Sequence, residues 1–221
     1  MRGGSKGVPN KNTRNMLGKP LMAYTIIQAL KSKLFEHVVV STDSDEIAKT
    51  AIYFGAEAWF FRPTELATDK APKLPAIRHT FLESEKHYKN QFDVIVDLDV
   101  TSPLRYVEDI TSAYDQFINE DADILISASP SRKNPYFNMV EKVNGLVQKV
   151  KQVDNAPSRR QDAPKVYDMN ASIYIWKRQA LLNYDTLFTD KTTLFIMPEE
   201  RSVDIDTDMD WKYVEYILSS R

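Results

Sequence analysis

The sequence predicts an α/β fold in which helices cover both faces of a mostly parallel β-sheet. Strand-like and helix-like patterns alternate through the first 130 residues, as they do in parallel sheets. The run at 93–98 (DVIVDL) is typical of a strand buried inside such a sheet. With 221 residues, 43% of them hydrophobic, the chain can form one substantial core.

The individual elements follow from hydrophobic spacing and from boundary residues. Apolar residues at helical spacing predict helices over 20–34, 44–54, 74–89, 107–119 and 207–218. Short β-branched or apolar runs predict strands over 37–41, 57–61, 93–98, 124–128, 171–176 and 193–197. The spacing of Thr207 and Asp210 resembles a capping box, which favours a helix start at the former.

The pattern changes near residue 130. The runs at 137–143 and 146–150 flank Asn144-Gly145, a pair that suits the type I′ turn of a β-hairpin. We therefore expect an α/β domain made of 1–129 and 169–221. A small β-rich arm, 130–168, would be inserted into it.

Composition excludes several classes of protein. The net charge of −2 gives no reason to expect nucleic-acid binding. The chain has no cysteine, which excludes thiol chemistry, and its three histidines are scattered, so a zinc cluster is not expected. No apolar run approaches the ~18 residues of a membrane span, and no signal-peptide pattern is visible. A cytoplasmic protein with no membrane partner is expected.

A glycine-rich basic segment begins the chain: Arg2-Gly-Gly-Ser-Lys-Gly-Val-Pro-Asn-Lys-Asn12. Glycines allow tight turns that bring backbone N–H groups to an anion, and basic side chains add positive charge. The spacing is not that of a Walker A loop. The alternative is a solvated N-terminus. Such a segment normally follows a first strand and none precedes it here, so we expect a shortened start.

Two acidic pairs are candidate metal ligands. Asp97 and Asp99 end a predicted strand, at the edge where ligands bind in open α/β sheets, and Arg105 follows them. Asp204 and Asp206 alternate around Ile205, which places both carboxylates on one face of an extended segment. Carboxylates suit Mg²⁺. The alternatives are a turn or helix cap for the aspartates and a surface ion pair for the arginine.

Several segments match one known family in order and spacing. They are Arg2-Gly-Gly-Ser-Lys-Gly with Lys11-Asn12, Val39-Val-Ser-Thr-Asp43, Arg62-Pro63, Thr101-Ser-Pro-Leu-Arg105, Arg160-Gln161, Asn170-Ala-Ser-Ile-Tyr174 and Asp204-Ile-Asp206. On these segments the chain resembles the acylneuraminate cytidylyltransferases. The resemblance covers essentially the whole sequence except a first strand.

The resemblance implies a Rossmann-like nucleotidyltransferase fold, a homodimer whose arm reaches the partner's site, and CTP and a nine-carbon acidic sugar as substrates. It implies CTP contacts by Arg2, Ser5, Lys11, Asn12, Arg62 and Ala71. It implies sugar contacts by Arg160, Tyr174 and Phe188, to which we add Asp99 and Arg105. Mg²⁺ would be held by Asp204 and Asp206, with Asp99 as a further ligand. The expected catalytic residues are Arg2, Lys6, Lys11, Asp204 and Asp206.

The sequence also departs from the family pattern. Asp99-Val100 stand where many members have Gln-Pro, and Lys73 replaces a small residue near the nucleotide. Three segments look more like the legionaminic acid branch: Asp97-Leu-Asp-Val-Thr-Ser-Pro103, Asn134-Pro-Tyr-Phe-Asn138 and Tyr167-Asp-Met-Asn-Ala-Ser-Ile-Tyr174. Two other functions stay open: a sugar transferase that uses Asp97-Leu98-Asp99 to hold a metal, and an inactive nucleotide-binding paralogue.

Overall fold

A computed structural model of the protein describes residues 1–4, 7–154 and 157–221. The strands are β1 (Asn15–Met16), β2 (Lys19–Pro20), β3 (Val94–Leu98), β4 (Ile124–Pro130), β5 (Val140–Val143), β6 (Leu146–Lys149), β7 (Tyr167–Lys177) and β8 (Thr192–Ile196). The helices are α1 (Leu21–Ser32), α2 (Asp45–Tyr53), α3 (Lys73–Tyr88), α4 (Val107–Asn119), α5 (Arg178–Asn183) and α6 (Asp208–Ser219). Short 3₁₀ turns lie at Thr64–Leu66, Arg160–Asp162 and Glu199–Arg201.

The main sheet has the strand order β3-β7-β4-β8. Strands β4 and β8 pair in parallel, whereas β7 is antiparallel to both of its neighbours. The α/β class is therefore confirmed with a mixed sheet, in which β3, β4 and β8 share one direction. Strand β7 runs the other way because Pro130 pairs with Tyr167, so the chain rejoins the sheet beside the point where it left.

Alternating residues of the central strands bury both faces of this sheet, as the two-residue period of a strand requires. Ile126 and Trp176 pack in a cluster with Phe81 of α3, and Leu125 and Ile175 pack in another with α4. The helices thus lie on both sides. Among helices formed by the described residues, none has the length and apolar character needed to cross a membrane.

The segments predicted as strands at 37–41 and 57–61 form isolated parallel bridges, Val39 to Glu57 and Thr42 to Phe61. A further apolar cluster, which includes Val8, Val40 and Ile205, packs beside them. Through this cluster, the N-terminal segment, the extended chain before α2 and the acidic segment before α6 pack against one another.

The expected arm contains the hairpin β5–β6, whose turn residues Asn144 and Gly145 both have positive φ, 51° and 84°. A type I′ turn requires positive φ at both central positions, so the predicted turn is confirmed. The hairpin strands are mostly exposed. Nothing in the fold itself defines the limits 130 and 168 as a domain boundary.

Candidate active site

A cavity of about 650 Å³ opens at the carboxyl end of β3. The segments that line it come from distant parts of the sequence: the N-terminal glycine segment, the chain around Arg62 and Ala71, the end of β3 and the extended segment before α6. The predicted site residues on its wall are Arg2, Lys11, Asn12, Arg62, Ala71, Asp99, Asp204 and Asp206. Ser5 and Lys6 lie outside the described residues.

The glycine segment and the second acidic pair meet at this cavity. Lys11 Nζ donates a hydrogen bond to the carbonyl oxygen of Ile205 and lies 3.5 Å from Asp206 Oδ1. A Cβ atom built on Gly7 would lie 2.0 Å from the carbonyl oxygen of Asp206. The two segments are therefore in backbone contact, and only glycine allows so close an approach.

We expect Gly7→Ala to disrupt this contact. The added methyl group has to displace the Asp206 backbone, so activity should fall at least about tenfold and the melting temperature should drop by several degrees. Gly4→Ala is the matched control, because a Cβ there meets no atom within 4 Å. Equal activity and equal melting temperature in the two variants would contradict the contact.

Two arginine side chains add positive charge to the cavity. Arg2 Nη1 donates to the Thr68 carbonyl and to Asp69 Oδ1, and Asn12 Nδ2 donates to the Arg2 carbonyl. Arg62 donates from Nε and Nη2 to Ser41. Burial lowers the pKa of Arg62 from its ordinary value, and the nearby carboxylates oppose that shift only in part. These contacts fix two guanidinium groups beside a cavity of nucleotide size.

Asp97 and Asp99 both form ion pairs with Lys73, which the sequence analysis did not predict. Lys73 Nζ lies 2.5 Å from Asp97 Oδ2 and 2.9 Å from Asp99 Oδ2. The other oxygen of Asp99, Oδ1, accepts hydrogen bonds from the backbone and hydroxyl groups of Thr101. Although burial acts to raise the pKa of Asp99, the charge of Lys73 and the hydrogen bonds from Lys73 and Thr101 together outweigh it and hold that pKa well below its usual range. Asp99 therefore stays ionised.

Asp204 has a different environment. Its Oδ1 atom is buried and has no hydrogen-bond partner. Burial raises the pKa of Asp204, and the charges of Asp99 and Asp206 add to the effect while Thr101 opposes it. An unpaired carboxylate oxygen with further carboxylates nearby fits a cation.

The protein supplies only part of a coordination shell. Within the described ranges, no three histidine or carboxylate side chains lie close enough together to hold a metal ion. Mg²⁺ is commonly bound by one or two carboxylates and by the phosphates of the substrate. The donor set therefore fits Mg²⁺ bound together with a nucleotide.

Three residues that were expected to contact the sugar do not line this cavity. Tyr174 is buried in β7 with its ring 6.0 Å from Lys73 Nζ, and Phe188 is exposed. Arg160 lies on a second cavity, formed mostly by residues of the expected arm, and donates to the Ser131 carbonyl. None of the three is among the residues that line the cavity at β3.

The predicted contact between Arg105 and the sugar is wrong. Its side chain is fully buried, and its guanidinium donates to the carbonyl oxygens of Ser172 and Asp99 and to Thr25 Oγ1. It therefore faces the core and does not contact the cavity in which a sugar would bind. Through the Asp99 carbonyl it positions the end of β3.

Sequence reasoning also missed Asn170. This buried side chain accepts a hydrogen bond from Ser127 Oγ and donates one to Ser202 Oγ. It thereby ties β4 and β7 to the segment that carries Asp204. The neighbouring Ala171 has a φ of 51°, which accompanies a register shift between β4 and β7. The sequence carries no signal for this bulge, because alanine rarely adopts that conformation.

The fold and the cavity together define an α/β nucleotidyltransferase. A cytidylyltransferase family model matches residues 1–218, and the chain belongs to this family.

The sequence is 51% identical over 218 residues to a CMP-N,N'-diacetyllegionaminic acid synthase of Campylobacter jejuni, covering 99% of this chain and 92% of that protein. It is 49% identical to a post-translational flagellin modification protein B of Campylobacter coli, covering 100% of this chain and 93% of that protein. A CMP:2-keto-3-deoxy-manno-octonic acid synthetase solved with CTP shares the fold, with a TM-score of 0.71 and 15% identity over 100% of this chain and 96% of that one.

Proposed function

We propose that this protein is a CTP-dependent cytidylyltransferase that joins CMP to a nine-carbon acidic sugar of the legionaminic or sialic acid type and releases pyrophosphate. The observation that carries the proposal is the meeting of a cationic glycine segment with Asp204 and Asp206 at one cavity. The legionaminic relative, at 51% identity, favours that branch for the sugar.

In the proposed reaction, the anomeric hydroxyl oxygen of the sugar attacks the α-phosphorus of CTP in line. A new P–O bond forms, the α,β-anhydride bond breaks, and its electron pair leaves on pyrophosphate. Arg2 and Lys11 stabilise the negative charge that develops on the leaving group, with Lys6 as a further cation from the same segment. Asn12 holds the glycine segment through the Arg2 carbonyl.

Mg²⁺ is the proposed cofactor. Asp204 and Asp206 would hold it, and Asp99 would become a third ligand only after its side chain moves, since no three carboxylates of the described residues lie close enough together as they stand. When bound, the ion would supply charge neutralisation at the α-phosphate. The ionised state of Asp99 suits a ligand better than a proton acceptor, because a carboxylate with so low a pKa is a weak base. The proton of the anomeric hydroxyl is therefore taken up by the departing pyrophosphate, which is a stronger base than this carboxylate.

Arg62 and Ala71, which line the same cavity, would contact the cytosine base. Tyr174 and Phe188 would contact the sugar, and Arg160 would bind its carboxylate across a subunit boundary. A cytoplasmic homodimer is part of the proposal. A second copy would provide the arm cations that lie away from the cavity in the single chain.

The hairpin β5–β6 offers a surface for that second copy. Val140, Leu146 and Val147 are 64–75% exposed, which is more apolar surface than a solvated hairpin needs. We expect the wild-type protein to be a dimer, and the double variant Leu146→Lys, Val147→Glu to be a monomer, in size-exclusion chromatography with light scattering. Gln148→Lys, on the same hairpin, should remain dimeric. A monomeric wild type, or a dimeric double variant, would refute this interface.

A pyrophosphate-release assay tests the function. Purified protein is supplied with CTP and Mg²⁺ and with sialic, legionaminic, pseudaminic or 3-deoxy-octulosonic acid in turn. The proposal expects release with a nine-carbon acid, fastest with legionaminic acid. Release only with 3-deoxy-octulosonic acid would reassign the substrate. Consumption of a nucleotide sugar in place of CTP would indicate a sugar transferase, and CTP binding with no release an inactive paralogue.

A further inference from the structure

Lys73 places a positive charge where an acidic pair would otherwise bind a cation. It is the first residue of α3, and its ammonium group reaches across the cavity wall to the end of β3. There it contacts Oδ2 of both Asp97 and Asp99. The half-exposed side chain has a flexible four-carbon stem and can leave this position without unfolding the helix.

Both carboxylate oxygens of Asp99 are occupied in this arrangement. Oδ1 accepts from Thr101, and Oδ2 accepts from Lys73. An ammonium group and a divalent ion repel each other strongly when both lie against one carboxylate oxygen, so Lys73 weakens metal binding at this oxygen. The buried Oδ1 of Asp204, in contrast, has no hydrogen-bond partner. Asp99 and Asp204 therefore differ: an oxygen of the first already has a cationic partner from the protein, and the buried Oδ1 atom of the second has no partner.

We propose that Lys73 is a positioning residue that competes with the divalent ion for Asp99, so that this carboxylate becomes a metal ligand only when Lys73 withdraws from it. Triphosphate oxygens arriving in the same cavity give the ammonium group an alternative partner. Metal and nucleotide would then bind cooperatively, each favouring the state that the other requires. The inference rests on the proposed function for the identity of the nucleotide, but its test does not.

The test measures Mn²⁺ binding to the protein by electron paramagnetic resonance, in the absence of CTP and sugar. Lys73→Met should bind Mn²⁺ at least about tenfold more tightly than wild type, because two carboxylates lose their fixed counter-charge. Lys73→Arg keeps the cation and should bind Mn²⁺ as weakly as wild type. Lys70→Met, an exposed neighbour outside the cavity, should also match wild type.

A second readout identifies the ligand. The double variant Lys73→Met, Asp99→Asn should show no gain in Mn²⁺ affinity over wild type.

Thermal stability gives a further measurement. Without metal, Lys73→Met should melt at a lower temperature than wild type, and Mn²⁺ should raise the melting temperature of the variant by more than that of wild type. Lys73→Gln serves in the same measurements if the methionine variant does not fold.

Equal Mn²⁺ affinity in wild type and Lys73→Met would overturn the proposal, as would a gain that survives Asp99→Asn. Because neither substrate is present, these outcomes are independent of the pyrophosphate-release assay. A protein that transfers no cytidylyl group could still show the competition, and an active enzyme could lack it.

Discussion

Asp204→Asn is expected to lower kcat by about 10²–10³-fold and at the same time to stabilise the protein. The loss of activity follows because the proposed metal ligand becomes a neutral amide. The gain in stability follows because Oδ1 of Asp204 is buried without a hydrogen-bond partner. An amide of the same shape removes that unpaired charge, and we expect a gain of about 1 kcal/mol, or roughly 2–4 °C in melting temperature.

The stability gain should depend on pH in a defined direction. Burial raises the pKa of Asp204 above its ordinary value, so the folded protein holds this proton more tightly than the unfolded chain does. Ionisation therefore costs stability, and the cost grows as the pH rises from the unfolded-state pKa through the folded-state pKa. Urea unfolding of both proteins should show the largest difference at pH 7 and a smaller one near pH 4.

Asp208→Asn is the matched control for these measurements. Asp208 begins the following helix, is exposed, and pairs with Arg14 away from the acidic pair. Its kcat should stay within about twofold of wild type, since exposed ion pairs contribute little. Wild-type kcat in Asp204→Asn at saturating Mg²⁺ would refute the role of Asp204 as a metal ligand. A melting temperature of this variant below that of wild type would show that the buried carboxylate does not destabilise the protein.

Local sequence signals predicted most of the elements that position the site. The 107–119 helix has the predicted bounds, and the 74–89 and 207–218 helices differ from theirs by one residue. Each of these has an amphipathic pattern and a recognisable end. The positive φ angles of Asn144-Gly145 also follow from local chemistry. In contrast, the segments at 37–41 and 57–61 contain β-branched or aromatic residues but form only bridges, because strand formation depends on the partner available.

The parts of the site that could not be predicted depend on contacts between distant residues. The order of motifs correctly brought Lys11 and Asp206 to one cavity, although they are 195 positions apart. It did not reveal that Lys73 pairs with Asp97 and Asp99, because a side chain at a helix start gives no sign of which strand it faces. Strand β7 was predicted with roughly the right position, but its direction follows from where the arm rejoins the sheet.

Arg105→Met is expected to destabilise the protein by about 3–5 kcal/mol, the largest effect on stability that we predict. Methionine fills similar space but donates no hydrogen bond. The carbonyl oxygens of Ser172 and Asp99 accept from the guanidinium at 2.7 Å each, and without it they would keep only the longer bonds from the Asp99 N–H group and from Thr25 Oγ1, at 3.3 and 3.2 Å. The bond from the guanidinium to Thr25 Oγ1 would be lost as well. Each hydrogen bond from a charged donor contributes about 1.5–3 kcal/mol.

Equilibrium unfolding in urea measures this loss, and Arg132→Met provides the control. Arg132 is exposed and pairs with Glu199 at the surface, so its loss should change the unfolding free energy by less than about 1 kcal/mol. Burial already lowers the pKa of the Arg105 guanidinium to about 10, which shows how strongly its surroundings disfavour a charge without these partners. If Arg105 instead contacted the sugar, Arg105→Met would raise the KM for the sugar and leave the unfolding free energy unchanged. We expect the opposite result, since the arginine holds Asp99 in place from the core side of β3.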